Sequence, residues 1–178
     1  DLSGDTDWKS ALEDIDTVIH LAGRAHVMNE TESDADLVYN RINRDATRAL
    51  ARQAEAAGVR RLVFVSTSKV MGESGRSFTA QNTPEPSDPY SRSKLAAETA
   101  LKGCEGLESV IIRPPLVYGP GVKGNFLRLL GLVDKGLPLP FGAIQNQRSL
   151  SGLNNICDAL IAAIDCPEGV YLPADAEK

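Results

Sequence analysis

The sequence predicts a doubly wound α/β fold, in which helices cover both faces of a parallel β-sheet. Three short apolar runs, at 17–22, 62–66 and 109–113, show no polar alternation and indicate strands buried on both faces. Helical patterns separate these runs over 34–57 and 89–102. Strands that alternate with helices require right-handed crossovers, and this favours a parallel sheet.

The ends of the predicted helices carry recognisable signals. In the first helix, apolar residues recur at near-helical spacing until Gly58, which suits a helix C-terminus. Before the second helix, Ser87 or Asp88 can act as the N-cap, and Pro89 suits the first turn. Both segments are therefore expected to be helices with defined starts or ends.

The character of the sequence changes after Arg113. Residues 114–148 are rich in Gly and Pro and include one predicted helix at 125–134. We interpret this segment as an excursion over the carboxyl edge of the sheet, where such folds bind ligands. A returning helix is predicted at 155–164, and a short strand at 170–172.

Composition excludes several classes of protein. The net charge is −5 and the charges are mixed, so we expect no nucleic-acid partner. No apolar run approaches the ~18 residues of a membrane span, so no membrane association is expected. Three widely spaced cysteines fit a reduced, cytoplasmic location, and the absence of a His/Cys cluster with metal-ligand spacing predicts no metal site.

Tyr90 and Lys94 form a Y-x-x-x-K pair in the second predicted helix. Residues at i and i+4 share a helix face, and an ammonium beside a phenol lowers the pKa of that phenol. Such a tyrosine can accept a proton from an alcohol near neutral pH. One such spacing arises readily by chance, so the pair alone is a weak signal.

A run of hydroxyl residues, Ser66-Thr67-Ser68, follows the second predicted strand directly. A hydroxyl at the carboxyl end of a parallel strand faces the ligand crevice and could bind the reacting oxygen beside the tyrosine. The alternative is a Ser/Thr turn that only closes the strand.

Together, these residues resemble the extended short-chain dehydrogenase/reductase family, the NAD-dependent nucleotide-sugar epimerases and dehydratases. The similarity rests on the order and spacing of motifs along the whole chain. The matching motifs are Asp1-Leu2, Thr17 to Gly23, Asn43 to Thr47 with Ala46 in place of Gly, Thr67 five residues before Gly72, Tyr90 with Lys94, and Arg113 to Gly121.

The resemblance implies a Rossmann-like fold, NAD as cofactor with NADP not excluded, and a UDP-sugar as substrate. Tyr90 would be the acid/base, Lys94 would lower its pKa and hold the nicotinamide ribose, and Thr67 would bind the sugar hydroxyl. The implied cofactor-binding residues are Asp1, Leu2, Leu21, Ala22, Gly23, Asn43, Ser66, Tyr90, Lys94 and Pro114. The implied substrate-binding residues are Ser68, Leu116 and Arg148.

The glycine-rich G-x-x-G-x-x-G loop of this family does not occur in the chain. We therefore expect an N-terminally truncated sheet whose strand at 17–22 has a bare edge, and a chain that is inactive alone. Residues 1–113 would be the C-terminal part of the dinucleotide-binding domain, and 114–178 a mixed substrate-binding segment. The family also implies a homodimer through the helices that begin near Asp34 and Pro89.

Three functions stay open. The first is a UDP-hexose 4-epimerase, the second a 4-keto-sugar-nucleotide reductase of O-antigen-type polysaccharide synthesis, and the third a non-catalytic fragment. The segments 23–28 and 146–158 look most like members from bacterial surface-polysaccharide assembly. Ser68-Lys69 stand where 4,6-dehydratases carry Asp-Glu, which disfavours dehydration, and Met71 replaces the usual Tyr before Gly72.

Overall fold

A four-stranded parallel sheet organises the chain. The computed structural model describes residues 2–25, 34–73, 78–122, 125–136, 138 and 148–175. The strands in these ranges are β1 Thr17–His20, β2 Arg61–Val65, β3 Glu108–Ile112, β4 Leu116–Tyr118, β5 Leu150–Gly152 and β6 Gly169–Tyr171. The larger sheet has the order β1-β2-β3-β6, and every neighbouring pair is parallel. The predicted parallel α/β fold is confirmed.

The first predicted helix is one continuous rod with a widened turn inside it. It runs as α1 Ala35–Tyr39, a π-helical turn Asn40–Asp45, and α2 Ala46–Ala56. The Asp34 side chain caps its start by accepting a hydrogen bond from the Leu37 amide. The widened turn was not predicted, because hydrophobic periodicity does not distinguish it from an α-helix.

The second predicted helix, α3 Pro89–Leu101, starts with a capping box. The Asp88 carboxylate accepts from the Ser91 amide at 2.8 Å, and the Asp88 amide donates to the Ser91 hydroxyl at 3.2 Å. Of the two predicted caps, Asp88 is the one used. These bonds fix the orientation of the first turn, which contains Tyr90.

Apolar side chains pack on both faces of the larger sheet. On one face, the buried core joins α2 and α3 to the sheet and includes Leu50, Phe64, Ala97 and Leu101. On the other face, Val63 and Val110 pack against α5 Leu153–Ala162, which also returns the chain to β6. The helix begins two residues before the predicted 155–164 span. Its start is set by the Asp175 carboxylate, which accepts from the Gly152 amide.

Two short strands form a second sheet that the sequence did not predict. β4 pairs in parallel with β5, in a region where Gly and Pro hide any strand pattern. Asp175 fastens this pair by accepting from the Tyr118 hydroxyl at 2.8 Å and the Asn155 amide at 2.7 Å. The predicted helix in the same excursion is present as α4 Asn125–Asp134.

Strand β1 forms one edge of the larger sheet, as expected for the strand with a bare edge. Its first three residues are only half-buried, and His20 is the buried one. Among the helices of the described ranges, none is both long and apolar enough to cross a membrane.

His20 is a neutral, buried histidine at the end of β1. Its Nε2 lies 3.0 Å from the Thr47 hydroxyl oxygen, and its ring stacks on Phe64 with 5.7 Å between centroids. Burial, followed by the nearby charge of Lys94, lowers the pKa of His20 to about 4. A protonated His20 would therefore disfavour the fold.

We predict that the free energy of unfolding falls by roughly 2 kcal/mol between pH 7 and pH 5 because of His20. The unfolded chain takes up the proton near pH 6.5, whereas the folded chain takes it up only near pH 4, so stability is lost as the pH falls. Urea unfolding of the chain and of His20→Gln at both pH values measures this. Equal losses in the two proteins would contradict the prediction.

Candidate active site

Thr67 and Tyr90 meet at the carboxyl ends of the parallel strands. Thr67 lies two residues beyond β2, Tyr90 lies in the first turn of α3, and a hydrogen bond joins their side chains. Thr67 also caps the short helical turn Ser68–Met71 by accepting from the Lys69 amide at 3.3 Å. The predicted convergence of the two hydroxyls is confirmed, and the Ser/Thr-turn interpretation holds as well.

The environment of Tyr90 keeps its phenol protonated. Burial raises the pKa of Tyr90, the hydrogen bond with Thr67 opposes this, and Asp88 and Tyr39 raise it further. The expectation that Lys94 lowers the Tyr90 pKa is wrong for this structure. The Lys94 ammonium lies over the Phe64 ring, 4.3 Å from the ring centroid, and makes a cation–π contact there. Lys94 is not among the groups that shift the Tyr90 pKa.

Lys94 is a buried cation, only 4% exposed. Burial lowers its pKa to about 8, while the Glu98 carboxylate raises it. Its Nζ lies beneath the turn after β1, because a Cβ on Gly23 would sit 3.7 Å from Nζ and 2.9 Å from Asn43 Oδ1. A side chain at position 23 would therefore displace the Asn43 amide oxygen, and glycine leaves that oxygen in place.

Asn43 holds this turn against α3. Its Oδ1 accepts from the Arg24 amide at 2.8 Å, and its Nδ2 donates to the Arg24 carbonyl at 3.0 Å and to the Ser93 hydroxyl at 2.9 Å. Asn43 is 1% exposed and lies in the π-helical turn. Its amide is thus used inside the protein, and it acts on the candidate site through the turn that it holds.

A buried ion pair beneath the site was missed by sequence reasoning. Glu98 Oε2 lies 2.6 Å from Arg113 Nη2, and both side chains are almost fully buried. The Ser66 hydroxyl donates to Glu98, so the expected side-chain contact of Ser66 with a cofactor is not available here. The sequence did contain a signal for a buried carboxylate near Lys94, because Glu98 follows Lys94 by four residues and so lies on the same helix face.

The remaining residues that were predicted to bind the cofactor differ in their exposure to solvent. Leu21, Ala22 and Gly23 are exposed in the turn after β1. Pro114 is buried, and its carbonyl accepts from the Ser68 amide at 2.9 Å, which ties the end of β3 to the residue after Thr67. Leu2 is half-buried, and Asp1 lies outside the described residues.

The predicted substrate residues lie around the second sheet and the turn after β2. Leu116 is 39% exposed and pairs with Leu150, so it lies at the same end of the small sheet as the exposed Arg148. Ser68 is half-buried, and Lys69 Nζ is 3.1 Å from Asp88 Oδ2. The described ranges contain no group of three or more His, Cys, Asp or Glu side chains arranged to hold a metal ion.

Comparison with protein families matches residues 1–171 to the NAD dependent epimerase/dehydratase family. The chain belongs to this family. It is 43% identical to a UDP-glucose 4-epimerase of Vibrio cholerae, over 98% of this chain and 56% of that protein. An N-acetyl-alpha-D-glucosaminyl-diphospho-ditrans,octacis-undecaprenol 4-epimerase of Escherichia coli O157:H7 is 29% identical over 83% of this chain and 45% of that protein.

Solved structures agree with this placement. The chain is similar to the UDP-glucuronic acid 4-epimerase of Bacillus cereus in complex with NAD, with a TM-score of 0.82 and 26% identity over 97% of this chain and 58% of that one. A UDP-N-acetylglucosamine 4-epimerase from Methanobrevibacter ruminantium gives a TM-score of 0.81 and 26% identity, covering 96% and 58%. The chain thus spans about half the length of these relatives, from 45% to 58%.

We predict that Asn43→Ala destabilises the chain by about 1–3 kcal/mol, because it strips the Arg24 amide and carbonyl of their partners. Asn40→Ala is the matched control. It removes one bond, from Asn40 Nδ2 to the Asp36 carbonyl, and should cost no more than ~0.5 kcal/mol. Chemical denaturation of both variants measures the difference, and equal losses would show that Asn43 does not hold the turn.

Proposed function

We propose that this chain contains the catalytic centre of an NAD-dependent nucleotide-sugar 4-epimerase acting on UDP-hexoses. The observation that carries the proposal is the hydrogen-bonded pair of Thr67 and Tyr90 at the carboxyl ends of the parallel strands, with Lys94 one turn further along α3. This arrangement supplies a hydroxyl to hold a sugar oxygen and a phenol to exchange its proton.

The proposed mechanism assigns one task to each side chain. Thr67 binds the C4 hydroxyl of the sugar, and Tyr90 takes its proton and later returns it. A bound NAD would supply the reversible hydride exchange at C4, and Lys94 with the turn at 21–23 would hold its nicotinamide ribose. Burial favours neutral Tyr90, which is the form that returns the proton to the sugar oxygen.

The residues present fit the nicotinamide half of the cofactor. The exposed turn at 21–23 lies above a buried ammonium, and the absence of a side chain at Gly23 leaves the backbone open to close approach. We assign the nicotinamide ribose to Lys94 and the surrounding contacts to this turn and Pro114. The pyrophosphate would be held by a glycine-rich loop that the 178 residues do not contain.

Epimerisation is favoured over dehydration by the residues after Thr67. Loss of water needs an acid for the leaving hydroxyl and a base for the adjacent C–H. Ser68 offers a hydroxyl, and the Lys69 ammonium is paired with Asp88, so neither replaces a carboxyl acid or base. The names of the Vibrio and Escherichia relatives both support a 4-epimerase.

The test is an assay of the complete polypeptide that includes this chain. UDP-glucose, UDP-GlcNAc and a UDP-4-keto sugar are each incubated with and without NADH, and sugars and cofactor are both followed. A 4-epimerase interconverts the sugars with no net use of NADH, whereas the alternative 4-keto-sugar reductase consumes it stoichiometrically with 4-keto substrates. If the protein shows neither activity, this result would support the third function, a non-catalytic fragment. The absence of the glycine-rich loop from the 178 residues favours that function for the chain alone.

We also propose that the complete protein is a homodimer built through α2 and α3. Their outer faces border a groove where small and apolar residues, Leu95, Ala96 and Ala100, lie beside arginines that include Arg48 and Arg92. Small residues permit close helix approach. Sedimentation of the complete protein as a monomer at micromolar concentration would contradict this.

We predict that Tyr90→Phe lowers kcat of the complete enzyme by ~10²–10⁴-fold, because only the ionisable oxygen is lost. Tyr171→Phe is the matched control, since Tyr171 lies on β6 and its hydroxyl donates to the carbonyl of Pro167, which precedes that strand and lies away from the site. Steady-state kinetics on UDP-glucose compares the two. A Tyr90→Phe enzyme that retains most of its kcat would remove Tyr90 from the mechanism.

A further inference from the structure

We propose that Glu98 is a positioning residue for the Tyr90–Lys94 pair. Held by Arg113 and Ser66, its carboxylate fixes the catalytic face of α3 against the ends of β2 and β3 and supplies the negative charge beside Lys94. The inference rests on the proposed function for the roles of Tyr90 and Lys94.

The geometry of the ion pair is bidentate. Arg113 Nη2 donates to Glu98 Oε2 at 2.6 Å, and Arg113 Nε donates to Glu98 Oε1 at 3.0 Å. The side chains are 5% and 3% exposed, respectively. Two parallel bonds to one carboxylate fix the orientation of both groups, and burial shields them from screening by salt.

The pair reaches the elements that flank Thr67. The Ser66 hydroxyl donates to Glu98 Oε1, and Ser66 directly precedes Thr67. On the other side, Arg113 Nη1 contacts the Met71 sulfur at 3.0 Å, at the end of the turn that Thr67 caps. A shift of Glu98 would therefore be transmitted to Ser66, which precedes Thr67, and to Met71 at the end of the turn that follows it.

The same carboxylate acts on Lys94. Tyr90, Lys94 and Glu98 follow each other at four-residue intervals and so lie along one face of α3. Among the described residues, the charged or titratable groups around Lys94 are Tyr90 and Glu98 on α3 and His20 on β1, with Arg113, the residue after β3, beyond Glu98. Glu98 is the anion of this set, and its charge opposes the effect of burial on the Lys94 pKa.

The consequence is a defined pH behaviour. Burial brings the pKa of Lys94 down to about 8 even with Glu98 present. Without the carboxylate charge, this pKa falls further, so the ammonium is lost at a lower pH. An activity that needs the Lys94 ammonium should then begin to fall at a lower pH as the pH is raised.

The experiment compares Glu98→Gln with Glu108→Gln. Glu108 is the matched control, because it also pairs with an arginine, Arg61, but at the amino end of β3. The Lys94 pKa is read in this chain by ¹³C NMR titration of labelled lysine side chains, assigned with Lys94→Arg. We expect it to fall from about 8 toward ~7 in Glu98→Gln and to stay unchanged in Glu108→Gln.

Glu98→Gln leaves Arg113 as an unpaired buried charge, so a variant that keeps the fold is needed. Glu98→Gln with Arg113→Met removes both charges, an exchange that buried ion pairs often tolerate. We expect this double variant to lower the Lys94 pKa in the same direction but by less than Glu98→Gln, because the positive charge of Arg113 is removed together with the carboxylate.

In the complete enzyme, Glu98→Gln should lower kcat at pH 8 by roughly 5-fold, move the alkaline limb to lower pH and leave the KM for UDP-glucose nearly unchanged, and the double variant should act in the same direction to a smaller extent. An unchanged Lys94 pKa together with an unmoved pH profile would overturn the inference. The NMR titration tests the effect of Glu98 on Lys94 without any assay, so failure of the epimerase proposal is distinguishable from failure of this one.

Discussion

The buried ion pair between Glu98 and Arg113 is the constraint on which the rest of the site depends. It joins α3, which carries Tyr90 and Lys94, to the ends of the two strands that lead to Thr67 and Pro114. Buried pairs of this kind add little net stability, but an unpaired partner is costly, so they penalise alternative arrangements strongly. The three elements are thereby held in one relative position, and the hydroxyls of Thr67 and Tyr90 meet.

The charges above this pair follow from the same burial. Lys94 remains a cation because Glu98 and the Phe64 ring compensate part of its desolvation. His20 beside it stays neutral, because burial and the lysine charge both disfavour a second cation. The Lys94 ammonium therefore lies buried between the Phe64 ring and the turn at 21–23.

Much of the fold and part of the site could be predicted from the sequence. Apolar runs gave the parallel strands, and Asp88 with Pro89 gave the start of α3, because capping and burial leave strong local patterns. The π-helical turn that places Asn43, and the pairing of β4 with β5, leave none. The position of Lys94 over Phe64 was missed for a different reason: spacing identifies a shared helix face but not the rotamer chosen within it.

The most direct test of the central claim is a crystal structure of the complete polypeptide with NAD and a UDP-hexose. We predict that the Tyr90 and Thr67 hydroxyls lie within about 3.2 Å of the same sugar oxygen, with the Lys94 ammonium on the nicotinamide ribose. A sugar bound with its C4 hydroxyl away from both side chains would contradict the assignment of this site. In that case, the hydrogen bond between the Thr67 and Tyr90 hydroxyls would have only a structural role at the end of β2.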